Sequence, residues 1–285
     1  MICLTETLSI LSNVAVPAFS VTSMLSVGFG HVVQEIIEPF RSPRSVIVPL
    51  LANFVLVPLL GVAVVWLLPL DRPLENGLIL VSTAAGAPFL VKLSEFAEHD
   101  VALSAALLVL LLPATVIYMP IVVPLALSEA EVSAGAIAVP LVLTMLLPLG
   151  VGLLVRTRSP RWAMHLQPVM GKVSTVSLLV LVGATFLLNL QAILNLFGTG
   201  AILAAVFVII GAFVIGYVLG GGRYERRCAL GLGTAQRGIA AAMVVAAESF
   251  GDPDTLVMVV VSSLVGLAIL FPIASVLSRH THEHG

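Results

Sequence analysis

Charged residues are scarce in this chain of 285 residues. Asp, Glu, Lys and Arg make up 10% of it, whereas soluble domains carry about 25%. Hydrophobic residues account for 59% of the chain, and the mean hydropathy is +1.15. A chain of this composition cannot fold as a soluble globule. We therefore predict an integral membrane protein that crosses the bilayer several times.

Several motifs that carry chemistry are also missing. The sequence has no basic tract, which excludes nucleic acid as a partner. It has no Gly-x-x-x-x-Gly-Lys phosphate loop and no nucleophile–base motif, which argues against an ATP-driven pump and against an enzyme. The two cysteines, Cys3 and Cys228, are far apart and predict no disulfide. We expect no cofactor, and we interpret the histidines of residues 280–284 as part of a solvated tail rather than a metal site.

The chain does have a series of apolar segments of about 20 residues, separated by short polar turns. They predict an all-α polytopic membrane protein with about nine transmembrane helices, and we expect residues 1–285 to form a single unit. The predicted spans are residues 10–30, 45–68, 76–97, 100–127, 133–155, 171–190, 200–220, 228–250 and 255–277.

The charges between these spans are unevenly distributed. The loops after odd-numbered spans hold Arg41, Arg44, Arg156, Arg158, Arg161, Arg223, Arg226, Arg227 and Arg279. The loops after even-numbered spans hold Asp71, Glu75, Glu129, Glu131, Asp252 and Asp254, with Arg72 as their only base. By the positive-inside rule, the N-terminus is outside and the tail of residues 279–285 is cytoplasmic. We expect a bacterial-type inner membrane.

Two of the predicted spans are interrupted, and each carries a cation near its interruption. The third span contains Gly86-Ala87-Pro88 and then Lys92, and the eighth contains Arg237 within residues 233–238. A charge at the centre of a bilayer costs about 2.5–3.5 kcal/mol on insertion scales. The two spans are five apart, so they run in opposite directions, as the broken helices of an inverted-repeat transporter do. The alternative is that these glycines and prolines serve helix packing alone.

The predicted site lies where the two broken helices would cross. The predicted substrate-binding residues are Lys92, Arg237, Gln236, Thr234 and Glu95, and the predicted helix breaks are at Gly86, Ala87, Pro88, Gly233 and Gly238. Nearby, we expect Ser82 and Thr83 to bond within their own helix. We interpret Lys172 as lying near a span end and reaching the membrane interface.

Three roles for the two cations stay open from the residues alone. Lys92 and Arg237 could bind a carboxylate or sulfonate of the substrate, or Glu95 could neutralise them. Alternatively, they could fill the place of a coupling cation and hold the helices together permanently. A buried lysine that releases and regains a proton would then provide proton coupling.

Several stretches resemble the bile acid:sodium symporter superfamily. Residues 86–91 and 98–104 are similar to its Gly-Gly-Thr-Ala-Ser-Asn and Gly-Asp-Val-Ala-Leu-Ser runs, and residues 233–238 to its Glu-x-Gly-x-Gln-Asn run. Residues 23–30, with residues 41–44, resemble its first shared helix and Arg-Pro-Arg linker. The resemblance implies inverted repeats, two crossing broken helices, and organic anions such as bile acids and keto acids carried with sodium. It also implies a panel domain (about residues 8–30 and 133–190) and a core domain (about residues 45–127 and 200–278).

The sequence departs from the family pattern where sodium would bind. Leu90 and Val91 stand where the resemblance places Ser-Asn, and Gly233 stands where it places an acidic residue. Sodium is a hard cation that binds oxygen, so these side chains offer it no ligand. Ser104 and Thr234 remain as weak candidate ligands. We therefore expect a divergent family member in which sodium coupling is lost or weak.

These observations predict a secondary transporter that moves an organic anion by alternating access. One alternative is an exporter or carrier of another small solute with proton coupling. Another is a membrane sensor or partner subunit that transports nothing. The substrate, the coupling ion, the direction of transport and the oligomeric state stay open at the level of sequence.

Overall fold

A computed structural model describes residues 2–32, 34, 42–87, 89–97, 101–127, 134–188, 190, 198–250 and 253–283 of the protein. The regular structure of this part of the chain is helical throughout, which confirms the predicted all-α class. The helices are α1 (Ile2–Gly30), α2 (Pro43–Leu51), α3 (Val57–Leu67), α4 (Arg72–Thr83), α5 (Phe89–Phe96), α6 (Val101–Ala126), α7 (Ala134–Leu141), α8 (Leu147–Arg158), α9 (Pro160–Leu188), α10 (Ala201–Leu219), α11 (Tyr224–Ala235), α12 (Ile239–Ser249) and α13 (Pro253–Glu283).

Within the described residues, five helices are long and apolar enough to cross a membrane. They are Pro43–Leu67, Ala102–Ala126, Ala138–Arg158, Ala201–Leu219 and Asp254–Ser278. The protein is therefore a multi-pass membrane protein, and the number nine stays a prediction. The broken pairs α4–α5 and α11–α12 pack beside these five helices.

Two π-helical turns each join a pair of helices into one longer segment. Ala52–Leu56 joins α2 to α3, and Val142–Leu146 joins α7 to α8. A proline follows each turn within the first two residues of the next helix, and because proline has no N–H it removes one hydrogen bond from the continuous helix there. A π-helical turn shifts the side chains of a helix around its axis. In the first turn, the fully buried Asn53 lies at the shifted position.

α1, α8 and α9 pack together as one group of helices. α1 lies along α9 and crosses α8 where Gly28 faces Gly152. A Cβ on Gly28 would lie only 2.8 Å from the Cα of Gly152. The two backbones touch because neither residue has a side chain, which is a common form of helix packing in membranes.

The remaining helices pack mainly around α10 and α13. α4 and α10 both contact α13, and α10 also contacts α3 and α11. The broken pairs α4–α5 and α11–α12 are therefore enclosed by unbroken helices, which place the two breaks inside the protein. This packing is compatible with the expected core and panel domains, whose boundaries stay predictions.

Both predicted interruptions are present among the described residues. Residues 84–87 separate α4 from α5, and residues 236–238 separate α11 from α12. Pro88 lies outside the described residues. The prediction of a break at Gly233 was wrong, because Gly233 is helical within α11. A Cβ on Gly233 would lie 3.2 Å from Cδ2 of Leu90, so this glycine allows close packing of α11 on α5 instead.

Candidate functional site

The two unwound segments contact each other directly. The backbone N–H of Gly238 donates to the carbonyl oxygen of Ala84 over 2.9 Å. The hydroxyl of Thr115, on α6, donates to the carbonyl oxygen of Ala85 over 2.8 Å. Buried backbone groups that leave a helix need partners of this kind. The broken helices therefore cross at residues 84–85 and 238.

Glycine is required on both sides of this crossing. Gly86 has a φ of +77°, a left-handed conformation that glycine adopts readily. A Cβ at Gly86 would also lie 3.0 Å from the backbone nitrogen of Leu112 on α6. At Gly238 a Cβ would lie 3.2 Å from the carbonyl oxygen of Ala85. A larger residue at Gly86 would press on α6, and one at Gly238 would press on the other unwound segment at Ala84 and Ala85.

Arg237 lies at the crossing and is buried, with 3% of its surface exposed. Its guanidinium group donates four hydrogen bonds, all to neutral oxygens of the protein. Nε donates to the Val81 carbonyl over 3.2 Å, and Nη2 to the Ser82 carbonyl over 2.6 Å. Nη1 donates to the Thr234 carbonyl over 3.0 Å and to Oδ1 of Asn53 over 2.8 Å. We call these four acceptors the oxygen cage.

The oxygen cage lies at the ends of two half-helices. Val81 and Ser82 are in the last turn of α4, and Thr234 is in the last turn of α11. The last carbonyls of a helix have no partner within it and carry the negative end of the helix dipole. Two such ends converge on Arg237, so a cation at this position is favourable without any carboxylate in the cage.

The hydroxyl groups near the cage are engaged in other hydrogen bonds. Ser82 and Thr83 donate to carbonyls of their own helix, as predicted. Thr234 Oγ1 accepts a bond from Nδ2 of Asn53 over 3.3 Å. Ser104, the other weak sodium candidate, lies 2.6 Å from Ser94, hydroxyl to hydroxyl, in a buried pair between α6 and α5. Thr234 and Ser104, the two candidate sodium ligands, therefore form hydrogen bonds with different residues.

Gln236 is also buried and lines a small cavity of about 10 Å³ beside Arg237. Ser262 of α13 lines the same cavity, and its buried hydroxyl has no partner within the described part of the chain. A volume of this size holds about one water molecule. Gln236 is therefore at the crossing, as expected, but it faces a space too small for an organic solute.

Lys92 does not lie with Arg237, and the prediction of two buried cations at one crossing was wrong. Lys92 is exposed and lines a different cavity, of about 500 Å³, between α5, α1 and α9. The reason is the helical repeat of α5, in which Leu90 and Leu93 are buried against the interior and Lys92 projects from another face. The side chain of Glu95 lies outside the described part, so its neutralising role stays a prediction.

The cavity beside Lys92 is lined by polar side chains from two further helices. Lys172, Gln167, Ser174 and Thr175 come from α9, and Ser23, Ser26 and His31 lie on or just after α1. The approach of α9 is close at Gly171, where a Cβ would lie 4.0 Å from the Lys92 ammonium nitrogen. Lys172 lies within the long helix α9, just before its apolar part, and its place near a span end stays a prediction.

The sequence has only two lysines, Lys92 and Lys172, and both line this cavity. Reasoning from sequence missed Lys172, His31 and Gln167 as site residues. A partial signal was available for Lys172, because it is an ionisable residue beside an apolar run and ionisable residues within a membrane mark functional positions. For Gln167 and His31 the sequence offers no comparable signal, since both precede or follow apolar runs.

Comparison with known proteins supports the resemblance seen in the motifs. The family model described as the Sodium Bile acid symporter family matches residues 18–196. A chloroplastic protein of Arabidopsis thaliana named probable sodium/metabolite cotransporter BASS3 is 30% identical over 275 residues, which are 91% of this chain and 64% of that protein. Another from Arabidopsis thaliana, named BASS6, is 25% identical over 268 residues, 87% of this chain and 64% of that protein.

A third relative is the chloroplastic protein of Oryza sativa subsp. japonica named probable sodium/metabolite cotransporter BASS2. It is 28% identical over 200 residues, which are 69% of this chain and 47% of that protein. The chain thus spans about two thirds or less of the length of these relatives. The family match covers the first broken helix and the helices that line the cavity beside Lys92, and it ends before the second broken helix.

Proposed function

The chain belongs to the sodium bile acid symporter family, and on this premise we propose that it carries an organic anion across its membrane as a secondary transporter. Family membership places it among transporters rather than enzymes. The proposed mechanism is alternating access, in which the group of α1, α8 and α9 moves against the helices that hold the crossing. The cavity between α1, α5 and α9 is then the substrate site.

The observation that carries this proposal is the presence of both lysines around that one cavity. Lys92 comes from a half-helix of the crossing, and Lys172 comes from the neighbouring helix group. Two ammonium groups around one membrane cavity together attract an anion that enters it. A carboxylate or sulfonate would accept charge-assisted hydrogen bonds from both, and so would bridge the two moving parts.

The other lining residues indicate which kind of anion fits. Ser26, His31 and Gln167 offer hydrogen bonds that can orient a polar group, and Val27, Val91 and Val176 provide apolar surface. A volume of about 500 Å³ is within the usual range for small-molecule sites. We therefore propose a substrate with one anionic group and a hydrocarbon part, as in keto acids or bile acids.

Uptake into proteoliposomes tests this proposal, with pyruvate and taurocholate as probe anions. Lys92→Ala and Lys172→Ala should each reduce uptake of the transported probe by about tenfold or more, since each removes a charge-assisted hydrogen bond. Lys92→Arg and Lys172→Arg should retain part of it. The matched control is Arg161→Ala, which removes an exposed cation from the first turn of α9, outside the cavity.

Unchanged uptake in both alanine variants would refute the assignment of the site.

Chemical acylation gives a second measurement that needs no flux. Because the chain has two lysines, an amine-reactive reagent modifies only Lys92, Lys172 and the N-terminus. A bound anion should slow acylation of both lysines, as followed by mass spectrometry. Protection without uptake of either probe would favour the non-transporting sensor instead.

The driving force we propose is a gradient of protons or of the substrate itself. The sequence contains no ATP-binding loop, which favours a gradient as the source of energy. His31 lines the proposed substrate cavity, and histidine is a common proton shuttle in proteins, which makes it a candidate proton carrier. Uptake should therefore be measured with an imposed pH gradient and with sodium replaced by choline.

A further inference from the structure

We infer that Arg237 is a resident cation, which fills from within the chain the place that a coupling sodium ion would need at the crossing. The protein should therefore fold and work without sodium. The inference rests on the proposed function only in the statement that transport works without sodium. Its structural part concerns the oxygen cage and can be tested without any substrate.

Sodium is implied by the family description and by the names of the relatives. The residues present do not fit it. In broken-helix transporters, the unwound carbonyls and the C-terminal ends of half-helices are the groups that coordinate sodium. Here those groups are the Val81, Ser82 and Thr234 carbonyls, and each of them accepts a hydrogen bond from Arg237.

Charge gives a second reason why sodium and Arg237 exclude each other. Arg237 is 3% exposed, and all four acceptors around it are neutral. Two unit charges 4 Å apart repel by about 4 kcal/mol even at an effective dielectric of 20. No carboxylate belongs to the cage to offset that repulsion. One cation is therefore accommodated by the two helix ends, and the covalently attached one is always present.

The shape of the guanidinium suits this role. It has five N–H groups in a planar fork, and four of them are used in the cage through Nε, Nη1 and Nη2. It thereby links the end of α4, the end of α11 and the π-helical turn that holds Asn53. A sodium ion would join the same three elements only while bound. Arg237 makes this link independent of ion concentration.

Thermal unfolding of the purified protein in detergent tests the inference. The wild-type melting temperature should agree within about 1 °C between sodium chloride and choline chloride of equal ionic strength, because a protein that binds no sodium gains nothing from it. Arg237→Ala and Arg237→Gln should melt lower in choline. Sodium should then raise their melting temperature by about 5 °C at a concentration of 100 times the dissociation constant.

The matched control is Arg227→Ala, in the same half-helix as the cage residue Thr234. Arg227 lies over the ring of Tyr217, 4.1 Å from its centroid, and is not part of the cage. Its removal should lower stability without creating a response to sodium. Arg237→Lys keeps a cation in the cage and should stay insensitive to sodium. This variant still tests the inference if the neutral variants do not fold.

A wild-type protein that is stabilised by sodium would overturn the inference, and so would neutral Arg237 variants that fold but ignore sodium. These readouts are separate from transport. If no anion is carried but the melting behaviour is as expected, the proposed function fails and the inference stands. If uptake occurs and requires sodium, the inference and the proposed driving force fail, and the proposed transport of an anion stands.

Discussion

Asn53 shows how one side chain can organise the centre of this protein. Its Oδ1 accepts from Arg237 over 2.8 Å, and its Nδ2 donates to the Pro49 carbonyl over 3.0 Å and to the Thr234 hydroxyl over 3.3 Å. Both ends of the amide are therefore engaged in a fully buried position. The π-helical turn Ala52–Leu56 places it there, as such turns often do at functional sites.

At the scale of the residue, Asn53→Leu should destabilise the protein by about 1.5–3 kcal/mol, the usual value of a hydrogen bond to a charged group. The reason is that one N–H of the buried guanidinium loses its acceptor. Thermal unfolding in detergent measures the effect. Thr144→Val is the control, because Thr144 lies in the other π-helical turn and its hydroxyl donates only to the Pro140 carbonyl of the same segment. Equal losses in the two variants would contradict the special role of Asn53.

The cation at residue 237 and the two lysines differ in how far sequence could predict them. Arg237 stands out because a guanidinium inside an apolar stretch demands partners, and the prediction of a buried position beside a helix break was right. Its acceptors could not be predicted, since Asn53, Val81 and Ser82 belong to segments more than 150 residues earlier. Lys172 was not predicted as a site residue because the other helices of its cavity, α1 and α5, are distant from it in sequence.

At the scale of the element, the crossing of α1 and α8 depends on two glycines. A Cβ on Gly152 would lie 2.9 Å from the Cα of Gly28. Contact with a backbone atom cannot be relieved by rotating a side chain, so any larger residue must separate the helices. Since α1 and α9 line the substrate cavity, the spacing of α1 and α8 also determines how the cavity is shaped.

Gly152→Ala should therefore destabilise the protein by about 1–3 kcal/mol, the usual cost of an overpacked contact. The chain offers a matched control on the same helix. A Cβ on Gly150 meets nothing within 4 Å, so Gly150→Ala should be neutral or stabilising by up to about 1 kcal/mol. Melting temperatures of the two variants in detergent make the comparison. A Gly152→Ala protein as stable as Gly150→Ala would show that α1 and α8 are not in contact there.

The broken helices are the elements that the sequence predicted best. Gly86 and Gly238 mark both interruptions, because a left-handed φ or a backbone contact excludes other residues there. Gly233 was misread, since a glycine used for packing inside a helix has the same local signature as one that ends it. Only the position of Leu90 on the facing helix separates the two cases.

At the scale of the whole molecule, basic residues from distant loops meet at one end of the bundle. Arg44, before α2 has completed its first turn, lines a cavity of about 370 Å³ together with Arg223 and Arg226 at the start of α11. These residues were assigned to the cytoplasmic side from their loops alone. Their proximity agrees with a common side of the membrane for these loops, and the orientation with a cytoplasmic C-terminus stays a prediction.

Cysteine labelling in cells tests this orientation. In a background with Cys3→Ser and Cys228→Ser, Thr157→Cys at the exposed end of α8 should react with a membrane-impermeant maleimide only after permeabilisation. Asp71→Cys, in the exposed turn before α4, should react in intact cells, because the predicted topology places the two positions on opposite sides of the membrane. The reverse pattern would show the opposite orientation, and the two positions serve as controls for each other.

Composition and pattern alone determined that this protein is a multi-pass helical membrane protein with two broken helices and a buried arginine between them. These are local properties, because the cost of a charge or a glycine in a membrane helix depends on few neighbours. The tertiary structure alone decided that Arg237 is held by protein oxygens while Lys92 and Lys172 share another cavity. Which groups meet depends on how distant helices pack. Each such pairing affects the stability of the protein, because an unpaired polar group inside a bilayer is costly.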